Sequence, residues 1–200
     1  TLRVMSKYRI TPIDIRAASE AEYRALYAFV IAADLEYDPD EPPRPYEEIL
    51  TEWQNIPPMH RAYHWLIWDG DRVVAQLRTG YNSEATDNLH VLDFFVYVLP
   101  EHRRRGLAKQ LLGHLLELSQ QTNRPTLISW SEEHIPAGEA FMNRLGAEKA
   151  LVGHENQLLL TDLNTDAMKN WLANAPRDDF ELGFWDGALP EDQLEAICEL

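Results

Sequence analysis

The stretch VLPEHRRRGLAKQLLGHLL, residues 98 to 116, sets Arg103, Arg104 and Arg105 directly before Gly106, Leu107 and Ala108. Leu107, Leu111 and Leu115 then recur on one stripe with Leu112 and Leu116 beside them, which predicts a helix from about Gly106 to Gln121. The first turn of a helix has backbone N–H groups without intrahelical partners, and the macrodipole adds positive charge there. Gly106 and Ala108 remove side-chain bulk at that turn, so an anion can approach the backbone closely. The chemistry these residues fit is the cradling of a phosphate or pyrophosphate. Their other reading is a solvated basic turn at the start of a surface helix. The phosphate loops of nucleotide-binding proteins do not fit, because neither a Lys-Ser/Thr pair after a glycine loop nor a G-x-G-x-x-G run is present.

Just upstream, NLHVLDFFVYV (88 to 98) reads as a long apolar strand ending where the arginine turn begins. It carries the nearest titratable groups: His90 and Asp93, which alternation sends to opposite faces, and Tyr97. The side chains of Phe94, Phe95 and Val96 read as core.

The elements that must hold this strand and turn are legible along the chain. YRITPIDI (8 to 15) alternates as a strand, with Pro12 favouring an edge. Ser19 and Glu22 form a capping-box pattern ahead of a helix containing Tyr23, Leu26, Tyr27, Val30 and Ile31. DPDEPPRP (38 to 45) breaks that helix as an acidic, proline-stiffened loop, and Pro45 opens a second helix through Trp53. Residues 61 to 82 read as a hairpin turning at Asp69-Gly70. After the arginine helix come a short buried strand (125 to 130), a helix (135 to 145) stopped by Gly146, and a last strand at 153 to 161. The resulting order, β-α-α-β-β-β-α-β-α-β, predicts an α/β fold with a mixed, mostly antiparallel central sheet flanked by helices. The first domain is expected to span 1–163. Residues 164–200 read as a helix ended by Pro176, a strand over DFELGFWDG and a helix opened by Pro190. They are either the opening of a second, similar domain or a strand and helix that pack on the first domain or on a partner.

Composition narrows the function. With 33 acidic residues against 18 basic and a net charge of −15, the surrounding field opposes nucleic acid and anionic membranes. A cationic or amine-bearing partner suits that field, although solubility alone accounts for it. A single cysteine, Cys198, rules out an intrachain disulfide, and the seven histidines show no paired metal-ligand spacing. With no run of about 20 apolar residues and no signal-peptide pattern, a cytoplasmic location is the expectation.

Val98, Pro100, Arg103, Gly106 and Ala108 spell V-x-P-x-x-R-x-x-G-x-A, and GEAFMNRLGA (138 to 147) follows as a helix ending in a Leu-Gly step. Both segments resemble the GCN5-related N-acetyltransferases, over residues 8 to about 162. The resemblance implies acetyl-CoA as cofactor, a small-molecule amine as acceptor and direct attack of that amine on the thioester. It implies that Arg103, Arg104, Arg105, Gly106, Leu107 and Ala108 hold the pyrophosphate, and that the backbone N–H of Val96 or Val98 meets the thioester oxygen. His90, Asp93 and Tyr97 are the candidate catalytic groups. The chain departs from the family pattern at Leu92, where a glutamate base often lies, and at Met142, where a tyrosine acid often lies. A module that binds acyl-CoA without chemistry is therefore the competing reading. Some members of the family carry two such domains in tandem, which gives residues 164–200 a context; a homodimer or tandem-domain contact through them is the expected association.

Overall fold

The structure, a computed structural model, describes residues 7–154, 156, 158–175, 183–184, 186–187 and 189–198. The chain divides into two compact units, Thr1–Glu148 and Lys149–Leu200.

The first unit is built on a five-stranded sheet in sequential order: β1 (Tyr8–Ile13), β2 (His60–Asp69), β3 (Arg72–Asn82), β4 (Val91–Val98) and β5 (Thr126–Ile128). The first four strands run antiparallel and β5 joins β4 in parallel, across the helical crossover that a parallel pair requires. The sheet is thus mixed and mostly antiparallel, as the sequence predicts. Pro12 sits on β1, an edge strand, where its missing N–H is tolerated. Gly70 turns the β2–β3 hairpin at φ 64°, the conformation glycine supplies at the first turn position of a II′-type hairpin.

Helix α1 (Glu20–Tyr37) starts on a complete capping box, with the Ser19 side chain bonded to the Glu22 backbone and the Glu22 carboxylate bonded back to the Ser19 N–H. Helix α2 (Tyr46–Gln54) follows the proline loop. Together they cover one face of the sheet, where Tyr23, Leu26 and Phe29 pack with Leu66, Trp68 and Tyr97. Helix α3 (Leu107–Thr122) covers the other face, where Leu107, Leu111 and Leu115 meet Leu77, Leu92 and Phe94. Helix α4 (Pro136–Leu145) ends at Gly146, which takes the left-handed cap at φ 76°.

One sequence expectation is corrected. Among the described residues of the segment expected as a strand at 153–161 there is no strand, and Leu160–Asp162 is a 3-10 turn. Gly153, His154 and Asn156 have low strand propensity, and three successive leucines, Leu158 to Leu160, do not alternate.

In the second unit, α5 (Thr165–Asn174) is capped by the Asn164 side chain accepting from Ala167 N–H at 2.9 Å. Pro190 leads into a 3-10 turn and α6 (Leu194–Cys198). The strand expected over DFELGFWDG falls largely outside the described residues. Among the described residues, no helix is long and apolar enough to cross a membrane.

Candidate active site

Strand β4 has one edge that the sheet does not fill. Leu99 N–H bonds the Val74 carbonyl on the β3 side at 3.0 Å, and Thr126 N–H bonds the His90 carbonyl on the β5 side at 2.9 Å. Alternation then turns the backbone groups of odd-numbered β4 residues toward β3 and of even-numbered ones toward β5. Pairing with β5 stops at Asp93↔Ile128. Beyond that fork, the N–H groups of Val96 and Val98 face an opening instead of a strand. On this edge the Val98 carbonyl accepts from Arg103 Nε at 2.9 Å.

The turn that follows is shaped for an anion. Arg104 and Gly106 both take positive φ, 61° and 78°. Gly106 is the N-cap of α3, no side chain caps the helix, and the first ladder bond is Gln110 N–H to the Gly106 carbonyl at 3.2 Å. The N–H groups of Leu107, Ala108 and Lys109 therefore precede the hydrogen-bonded ladder. A Cβ built on Gly106 meets nothing within 4 Å, so the space above this turn is open. Bare donors, a positive helix end and open space fit the pyrophosphate of an acyl-CoA.

The three arginines have separate fates. Arg103 is drawn to the end of α1, where its two terminal nitrogens reach the two carboxylate oxygens of Glu36, one at 2.9 Å. Arg105 donates to the Tyr8 hydroxyl at 2.6 Å and to the Glu101 carbonyl at 2.8 Å. Arg104 is exposed, and among the described residues it makes no hydrogen bond or ion pair. Arg104 and Arg105, neither paired with a carboxylate among the described residues, leave their charge for an anion; Arg103 orients the loop.

Glu36 also accepts from the Tyr97 hydroxyl. Arg103 first, and then Tyr97, hold the Glu36 carboxyl below its ordinary range against the effect of burial. Its folded-state pKa thus lies under the unfolded value of about 4.3. The clamp contributes its full stability above that value and loses it as pH falls through the lower folded pKa. Thermal unfolding of wild type and Glu36→Gln should differ most near neutral pH, with the gap closing toward pH 3.

His134 binds the same helix end from the loop after β5. Its Nε2 lies 3.1 Å and 3.0 Å from the carbonyl oxygens of Glu36 and Tyr37, so Nε2 is the donor. The end of α1 therefore ties together the arginine turn, β4 and the β5–α4 loop.

Two adjoining cavities open on the α1–α2 face. One, of about 390 Å³, is lined by Asp34, Asp38, Glu41 and Glu52 together with Arg44 and Arg78. Burial, and then Asp38, push the Asp34 carboxyl above its ordinary range. The other, of about 350 Å³, is lined by His60, His64, Asp93, Phe95 and Trp130, among others. Phe95 is its aromatic centre, with Trp130 stacked at 5.7 Å and the Arg78 guanidinium 4.8 Å from the ring. A Cβ on Gly80 would come within 2.6 Å of the Arg61 carbonyl oxygen, so only glycine admits the His60–Arg61 backbone this close. Arg16 fixes that segment by donating to the carbonyls of Ile56, Pro57 and His60.

Of the sequence candidates for catalysis, Asp93 lines this second cavity. His90 is exposed and lies before β4, outside both cavities. Tyr97 is buried, with its hydroxyl on Glu36, and burial followed by that carboxylate raises its pKa, which makes it a poor proton donor. The three do not converge. Met142 packs at the margin of the α3-side core.

Sequence reasoning missed His64 and Arg78. His64 lies across from Arg78 in the β2–β3 register, and its Nδ1 is 3.0 Å from the Gln76 amide nitrogen. The amide donates, so Nδ1 accepts and Nε2 carries the ring proton. Burial, then Arg78 and His60, lower the His64 pKa to about 4. A neutral imidazole at neutral pH follows. Because the unfolded value is about 6.5, stability should fall as pH drops from there toward 4, by at most about 3 kcal/mol. Denaturant unfolding at pH 7.5 and pH 5 reads this loss, and His64→Leu should flatten it.

A forked strand pair with open N–H groups leads into a bare helix N-terminus headed by glycine. The chain belongs to the acetyltransferase (GNAT) family, whose model matches residues 24–147. Its fold is similar to that of a tandem GNAT protein from the clavulanic acid biosynthesis pathway, at 22% identity and TM-score 0.55. That match covers 72% of this chain, which spans only 44% of the tandem protein. An aminoglycoside acetyltransferase from an uncultured soil metagenomic sample, in complex with sisomicin, is similar at 12% identity and TM-score 0.56, over 76% of this chain and 97% of that one. A ribosomal-protein-alanine N-acetyltransferase from Brucella melitensis biovar Abortus 2308 is similar at 13% identity and TM-score 0.56, over 76% of this chain and 99% of that one. Comparison with curated proteins returns no match.

Proposed function

We propose that this protein is an acetyl-CoA-dependent N-acetyltransferase that acts on a small-molecule amine by direct attack. The observation that carries the reading is the fork at Asp93↔Ile128, which leaves the backbone donors of β4 open beside the bare first turn of α3. Leu107, Ala108 and Lys109 N–H and the Arg104 side chain would hold the pyrophosphate, with Gly106 admitting it. The N–H of Val96 or Val98 would hold the thioester oxygen, since fixed backbone donors stabilise charge that develops there. Bound acetyl-CoA supplies the activated acyl group. Asp93 stands in the cavity next to the fork and is the proton acceptor for the amine, while Arg103 and Tyr97 act as positioning residues through Glu36. The carboxylates of the adjoining cavity favour a cationic acceptor.

Residues 164–200 are read as the opening of a second, similar domain. The tandem neighbour, of which this chain spans 44%, supports that reading. Activity in the cytoplasm fits the composition.

A second reading, a module that binds acyl-CoA without turning it over, rests on the proton donors: Met142 cannot donate, and Tyr97 is held by Glu36. Thermal unfolding with and without saturating acetyl-CoA tests what both readings share. Stabilisation by several degrees is expected, and no shift at saturating ligand would sink both.

A further inference from the structure

We propose that the acceptor carries a carboxylate beside the amine to be acetylated, and that Arg78 is the residue that binds it. This rests on the acetyltransferase reading and names the class of acceptor. Arg78, with Glu52 and Trp53, lines both cavities, so it stands at their junction. The neighbouring arginines are all bound: Arg44 to Glu48 and Glu52, Arg103 to Glu36, Arg16 to three carbonyls. Arg78 differs. Among the described residues it makes no hydrogen bond and no ion pair, although four carboxylates line the cavity it borders.

Its guanidinium carbon lies over the face of Phe95, 4.8 Å from the ring centroid. A guanidinium laid on a ring keeps its N–H edge available and gives up little freedom when a planar partner arrives. The side chain is exposed toward the cleft, and desolvation draws its pKa down against the opposing pull of Tyr37 and Asp34. A ligand carboxylate would meet its free N–H edge with two parallel N–H···O bonds. Geometry places the rest of such a molecule as well. An amine attached one or two bonds from the carboxylate falls in the cavity that holds Asp93, next to the open edge of β4. A phosphomonoester fits less well, because Asp34, Asp38, Glu41 and Glu52 oppose a second negative charge.

The test compares amines that differ only in the carboxylate: lysine with cadaverine, ornithine with putrescine, phenylalanine with phenethylamine. Phosphoethanolamine serves as the phosphate arm. Binding of each is measured by calorimetry to the full chain in the presence of saturating CoA, so the readout does not require turnover. In at least one pair the acid should bind about tenfold or more tightly than its decarboxylated partner, as expected for a charge-assisted fork. Arg78→Gln should erase that preference and Arg78→Lys should keep part of it, both with wild-type affinity for acetyl-CoA, which shows that the fold is intact. The proposal is overturned if no pair shows a preference, whether both members bind or neither does. It is overturned equally if Arg78→Gln retains the preference, or if phosphoethanolamine binds more tightly than every acid. Failure of acetyl-CoA to bind would instead strike the acetyltransferase reading itself.

Discussion

Gly106→Val is expected to weaken acetyl-CoA binding by about 100-fold or more while the protein stays folded. Two separate effects act at this position. Gly106 has φ 78° and ψ 9°, a left-handed conformation that costs an L-residue about 1–2 kcal/mol, more for a β-branched one. The second effect falls on the ligand. Apart from its chain neighbours, no atom of the described residues lies within 4 Å of a Cβ built here, so the fold accommodates the side chain, and the space it fills is the approach to the bare N–H groups of α3. A 100-fold loss corresponds to about 2.7 kcal/mol, a reasonable value for losing charge-assisted bonds from the helix end. Gly106→Ala should fall between wild type and valine. Calorimetry gives the affinities, and the melting temperature without ligand shows whether the loss is one of folding.

Asp93→Asn is expected to lower kcat/KM by about 100-fold with acetyl-CoA affinity unchanged, since a positioned proton acceptor contributes about that much or more. Asp93 is the one catalytic candidate that lines a cavity, and it stands where β4 and β5 part. The other two candidates give contrasting outcomes. His90→Ala should leave the rate near wild type, because His90 lies outside both cavities. Tyr97→Phe should lower stability more than rate, because the hydroxyl it removes serves Glu36 and, through it, Arg103. A rate collapse in Tyr97→Phe with unchanged stability would reassign the proton donor to that residue. Steady-state kinetics with either substrate varied separates these cases.

What could be read from the sequence was local. The Ser19–Glu22 capping box, the Asp69-Gly70 hairpin, the leucine stripe of α3 and the Gly146 cap all depend on spacings of a few residues, and each forms as read. Gly106 was legible for the same reason: a glycine at a strand-to-helix turn has few structural purposes. The cleft was not legible. His64 and Arg78 meet only through the cross-strand register, and Glu36 reaches Arg103 across 67 positions of chain. Counting outward from the Asp69-Gly70 turn places His64 and Arg78 near each other, but a register irregularity between Ile67 and Trp68 moves that count by one residue. In β structure such a slip exchanges the two faces. The arginine run misled in a similar way: adjacency in sequence suggested a shared task, whereas the fold spends Arg103 on α1 and Arg105 on β1. The segment expected as a strand at 153–161 carries none among its described residues; Leu158 to Leu160 lack the alternation a half-buried strand requires.

Amine-dependent release of the CoA thiol tests the central claim most directly. The chain is incubated with acetyl-CoA and a panel of small amines that includes the carboxylate-bearing pairs, and free thiol is followed together with the mass of the amine. The account predicts thiol release that requires the amine, with a matching gain of one acetyl group on the amine nitrogen and a steep loss of both in Asp93→Asn. Saturable acetyl-CoA binding with no amine-dependent thiol release across the panel would contradict it and leave a binding module in its place.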